Sequence, residues 1–171
     1  MANVIKFHSN TKESSHLIMN NSLTDVFIDV LALSGSQIAH TVDEKRLIVW
    51  LSEKDQSKVG GGTIGFDICE MPWNAETFAE NKLFLITVVE HAKKKAGWEY
   101  LDYSPNETLL FPCLDDFAAL LSSMHLADIQ PDALTEWLDA AEVSDPVSCG
   151  FPTCPKHHTL LTLFGCHLCN N

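Results

Sequence analysis

The side chains best suited to chemistry crowd the carboxyl end of the sequence: Cys149, Cys154, His157, Cys166 and Cys169, four of the six cysteines with a histidine among them. Zinc takes four sulfur or imidazole ligands in a tetrahedron, commonly delivered by two tight turns that each carry a pair. Cys166-His-Leu-Cys169 has the spacing of one such turn, and Gly165 lets the backbone enter it. Cys154-Pro-Lys-His157 repeats the spacing, with a proline to stiffen it. Cys149 and Cys154, four residues apart in their gap, also fall within the range zinc sites use. Cys154, Cys166 and Cys169 are therefore three expected ligands. The fourth is His157 or Cys149, and two matched short turns favour His157. A closed shell of four protein ligands leaves no position for water, so the expected role of Zn2+ is structural. His158 and His167 are expected to be exposed neighbours. His167 lies inside a ligand turn, where its side chain should point away from the metal.

Cys154-Pro-Lys-His157 and Gly165-Cys166-His-Leu-Cys169 resemble the zinc-ribbon and zinc-knuckle modules. The resemblance covers the C-terminal segment alone and implies a small, metal-stiffened fold there. Modules of this kind contact nucleic acid or protein. The expected organisation is an α+β globular domain over 1–148 followed by a zinc-knuckle tail over 149–171.

Other candidate chemistry is sparser. Cys69 and Cys113 sit in apolar sequence with no basic neighbour to activate a thiol, so both read as core residues. Asp67 with Glu70, and Asp115 with Asp116, are acidic pairs that can serve as acid and base. An enzyme built on them would bring Asp67, Glu70, His91 or Cys113 together in one cleft. Glu13-Ser-Ser-His16 has the spacing of a carboxylate-bridged metal site, but that arrangement needs a second copy. The triple glycine at Gly60 is followed by Thr63-Ile64 rather than by a phosphate-binding lysine.

The net charge of −12 is unevenly spread. Between Ala96 and Pro155 every formally charged residue is acidic, from Glu99, Asp102 and Glu107 through Asp115, Asp116 and Asp128 to Asp132, Glu136, Asp139, Glu142 and Asp145. Such a stretch has no cation of its own to neutralise it. It would repel phosphate backbones and attract a basic protein. Three readings of function follow. The first is a non-enzymatic, zinc-stabilised acidic module that binds a basic protein partner, whether to neutralise it or to adapt it. The second is a small enzyme with an acid or thiol site. The third is a nucleic-acid-associated regulator, which the charge disfavours. With no apolar run long enough for a membrane span and no signal-peptide pattern at Met1–Asn10, a cytoplasmic protein is expected.

The elements that must position the cysteines can be read from pattern. Val4, Ile5 and Phe7 suggest a strand. Ser22-Leu-Thr-Asp25 suggests the cap of a helix that Gly35 stops. Thr41-Val-Asp-Glu44 is a capping box opening a helix to about Asp55 that buries Leu47, Trp50 and Leu51. Ile64, Phe66 and Ile68 alternate as a strand after the glycines. Asn74 caps the expected longest helix, 75–95, with Lys93-Lys94-Lys95 at the negative end of its dipole and Gly97 as left-handed stop. A β-hairpin is expected over 98–111, then short helices around 114–124 and 131–141. The expected fold is α+β, four or five helices around a small, mostly antiparallel sheet, closed by the zinc knuckle.

Overall fold

The structure, a computed structural model, describes residues 2–9 and 15–170. β1 (Ala2–Phe7) alternates buried Asn3, Ile5 and Phe7 with exposed Ala2, Val4 and Lys6, so one face meets the core. It pairs antiparallel with β2 (Ser15–Asn20), Ile5 opposite Leu17. β5 (Phe66–Asp67) joins the other edge of β1 in parallel, so the sheet β2-β1-β5 is mixed. β3 (Asp55–Gln56) and β4 (Gly62–Thr63) form a separate antiparallel pair. The triple glycine leads into β4 as expected. The strand expected over 63–69 is interrupted because the Asp67 carboxylate accepts the Cys69 N–H at 2.9 Å and turns the chain into a 3-10 turn, Ile68–Glu70.

Five helices pack around these sheets, making the fold α+β. α1 (Asn21–Ile38) starts two residues earlier than its sequence signal: Asn20 is the cap, accepting the Leu23 N–H at 2.8 Å. Gly35 does not stop it. Ile48 of α2 (Val42–Ser52) occupies the space a side chain would need, and a Cβ at Gly35 would lie 2.2 Å from the Ile48 Cδ1. The glycine marks a close crossing of two helices. α1 is also the longest helix, 18 residues against 16 for α3 (Phe78–Lys93). It is the central one, packed on α2, α3, the sheet and α4 (Glu107–Ser123). Phe27 of α1 meets Phe117 of α4 edge-on at 5.3 Å, and Trp50 meets Phe66 at 5.2 Å.

Thr41 and Glu44 form the expected capping box of α2, which ends at Ser52. Asn74 caps a 3-10 turn, Ala75–Thr77, that leads into α3. Left-handed backbone arrives at Lys95 (φ 63) before Gly97. The largest departure is at 98–111, where no hairpin forms. Trp98–Tyr100 is a 3-10 turn, Asn106 caps α4, and Thr108–Phe111 become the first turns of that helix. The reason is a buried stripe longer than the local strand pattern: Leu110, Cys113, Leu114, Phe117 and Leu121 share one helical face.

α5 (Ala133–Ala140) lies on the surface and buries none of its residues fully; Trp137 donates its indole N–H to Glu53 at 3.1 Å. The C-terminal segment rests on α1. Leu160 joins the main core, and Leu168 packs with Leu33 beside Cys154 and Cys166. No helix among the described residues is long and apolar enough to cross a membrane.

Candidate metal centre

Two tight turns build the site. Thr153 bridges Leu160 antiparallel, the Cys154 N–H donates to the Thr159 carbonyl at 2.8 Å, and the Leu161 N–H to the Pro152 carbonyl at 2.9 Å. The His158 N–H closes on the Cys154 carbonyl at 2.8 Å, which folds Pro155–His157 back over Cys154. In the second turn Thr162 and Gly165 exchange backbone hydrogen bonds, and Gly165 takes φ 86 to aim Cys166 inward.

These turns bring together the Sγ atoms of Cys154, Cys166 and Cys169 and the Nδ1 of His157, all within 4.8 Å of one another. Zinc bonds of about 2.3 Å to sulfur and about 2.0–2.1 Å to nitrogen, spread tetrahedrally, set ligand separations of about 3.8 Å between sulfurs and about 3.6 Å between nitrogen and sulfur. The observed Cys154–Cys169 separation is 3.6 Å, and Nδ1 lies 3.6, 3.5 and 3.4 Å from Cys154, Cys166 and Cys169. The donor set fits a four-coordinate ion. Of the two candidates for the fourth position, His157 is in the cluster. Cys149 is outside it, exposed, with its thiol on the Val143 carbonyl at 3.3 Å.

The surroundings favour negative sulfur. The His157 N–H points at the Cys154 sulfur at 3.5 Å, and the Thr159 hydroxyl, fully buried, lies 3.3 Å from that of Cys166. Burial pushes the Cys154 thiol up, but the backbone N–H groups of His157 and Lys156 and the His157 imidazole outweigh it and bring it to about 6. Burial and the neighbouring Cys154 and Cys166 push the Cys169 thiol up to about 11. Crowded thiols of this kind need a cation to ionise together.

His158 is exposed as expected, its ring against Tyr100 at 5.3 Å. His167 departs from expectation. It points away from the cluster but into the protein, 3% exposed, with Nε2 3.3 Å from Asp29 Oδ1 on α1. Asp29 also accepts the Tyr103 hydroxyl at 2.6 Å. Burial and the carboxylates of Asp55 and Asp29, partly offset by His167, push nearby Asp25 up to about 6. A further tie is the Leu160 N–H on the Ser36 hydroxyl at 3.0 Å. Sequence reasoning missed these α1 anchors. One signal was available: Asp29 interrupts the apolar run from Val26 to Leu33, which places a carboxylate against the core.

The other candidates are dispersed. Asp67 and Glu70 line a pocket with His8, Cys69 and Asp128, where burial and Asp67 push the Cys69 thiol up to about 12. His91 lines a different groove, beside Ile38 and Leu83. Cys113 donates to the Leu109 carbonyl within α4, its thiol also pushed up by burial. Asp115 is paired with Lys93, whereas Asp116 faces a pocket with Ser15 and His16. Glu13 lies outside the described residues. The lysine run at the end of α3 supplies counter-charge to the acidic stretch, Lys93 to Asp115 and Lys95 to Glu107. The chain matches no protein-family model, no curated protein and no solved structure.

Proposed function

We propose that this protein is a non-enzymatic binding module, its C-terminal segment held by one structural Zn2+ and its acidic surface docking a basic protein. The observation that carries the metal reading is the Cys154, His157, Cys166 and Cys169 cluster, whose donor separations match a tetrahedral shell. Three thiolates and an imidazole suit zinc. Four protein ligands leave no open position, so the ion holds structure rather than activating water. Thiolate ligation is suited to a reducing compartment, and the cytoplasm is the one we favour.

The partner reading rests on α5 and the segment after it. Asp132, Glu136, Asp139 and Glu142 are all exposed there, and none of them is in an ion pair among the described residues. Solvated carboxylates on one surface steer and orient a cationic partner, and oppose nucleic acid. The test is capture at low salt of basic proteins by the zinc-loaded chain, compared with a Glu136→Lys, Asp139→Lys variant of equal zinc content. Captured protein should leave by about 1 M salt, where screening reaches about 3 Å, and should not bind the variant. A partner that survives that salt, or binds both forms equally, refutes the electrostatic interface.

A further inference from the structure

The cluster is asymmetric in its access to solvent. Cys154, His157 and Cys166 are buried, whereas Cys169 is exposed. A cavity of about 180 Å³ opens at Cys169, walled by Tyr100, Tyr103, His157 and Lys156. That volume far exceeds the roughly 10–15 Å³ that admits a water-sized molecule. Lys156, the one lysine or arginine after Lys95, lies in this wall. The Cys169 sulfur lies 3.6 Å from that of Cys154.

We infer that Cys169 is a modification site for a peroxide, which closes a Cys154–Cys169 disulfide and expels the metal. This rests on the metal reading above. The Cys169 thiolate attacks one peroxide oxygen; the O–O bond breaks, a sulfenic acid forms, and the departing hydroxide takes a proton to become water. The Cys154 thiolate then attacks the sulfenic sulfur; the S–S bond forms, the S–O bond breaks, and the second hydroxide leaves as water. Two thiolates lose two electrons in total, and hydrogen peroxide with two protons becomes two waters. The sulfurs close from 3.6 Å to about 2.05 Å. The ion is left with His157 and Cys166, half of a tetrahedral shell, and dissociates. Peroxide would thereby loosen the segment that zinc holds against α1.

The test treats the zinc-loaded full-length chain with one equivalent of hydrogen peroxide, follows zinc with a chromophoric chelator, and maps disulfides by peptide mass. The expected result is one zinc lost per disulfide, a linked Cys154–Cys169 peptide, and zinc uptake restored by a thiol reductant. A Cys149→Ser variant should respond as the parent does, because the other exposed thiol lies outside the cluster. Zinc retained under peroxide, zinc lost without that linked peptide, or a response that disappears with Cys149 would each overturn the inference. A chain that takes up no zinc would remove the metal reading, and this one with it.

Discussion

Stripping the metal with a chelator should free residues 149–170 while the helical body stays folded. The segment buries few large apolar side chains. Leu160 and Leu168, 3% and 8% exposed, are the principal ones, and each contributes about 1.5–3 kcal/mol. A structural zinc in a small module contributes about 10–16 kcal/mol, so the ion outweighs both leucines together. Losing even ~4 kcal/mol of that changes local opening about a thousandfold. Hydrogen exchange reads it directly. The amides of His157, His158, Leu160 and Leu161, bonded to the Cys154 sulfur, the Cys154 carbonyl, the Ser36 hydroxyl and the Pro152 carbonyl, should be protected with metal and exchange about a thousandfold faster without it. Amides of α1 from Phe27 to Leu33 should keep their protection. Unchanged protection over 157–161 after complete metal removal would refute the reasoning, because the apolar anchors alone would then suffice.

The remaining predictions concern titration and packing. Zinc displaces the proton of Cys169, held up at about 11, so apparent affinity should fall at least ~10-fold per pH unit as pH drops; below about 6 Cys154 also protonates and adds a further ~10-fold per unit. A competition titration from pH 8 to 5 with a chelator of known affinity checks the steepening, and a flat profile contradicts it. Gly35→Ala should cost ~1–3 kcal/mol in chemical denaturation because its Cβ would strike Ile48, and an added Ile48→Val, which removes the offending Cδ1, should recover part of it. Asp29→Ala removes the carboxylate that accepts the half-buried Tyr103 hydroxyl and should cost ~1–3 kcal/mol in chemical denaturation, whereas no measurable loss would show that bond to be inconsequential.

The metal cluster was legible because zinc turns are local: ligand spacing, a proline and a glycine lie within one short stretch, and the structure brings Cys154, His157, Cys166 and Cys169 together. The choice between His157 and Cys149 was legible only as a preference for two matched short turns, since both spacings are feasible; the structure places His157 in the cluster and Cys149 outside it. The α2 capping box was legible for the same local reason. The hairpin over 98–111 failed because Trp98–Tyr103 and Thr108–Phe111 each read as strands alone, while the stripe that makes 107–123 one helix extends beyond either window. Gly35 misled because a glycine required by a neighbouring helix looks in sequence like a glycine that ends one. His167 misled because a side chain turned from a metal need not face solvent; here α1 stands behind it with Asp29.

Elemental analysis of the full chain, purified without chelator, beside a Cys166→Ser and a Cys149→Ser variant, tests the central claim most directly. The account predicts about one zinc per chain in the parent and in Cys149→Ser, and a loss of zinc in Cys166→Ser, because only the latter breaks the four-ligand cluster. Parent protein that carries no transition metal, or zinc that survives Cys166→Ser but departs with Cys149→Ser, would contradict it.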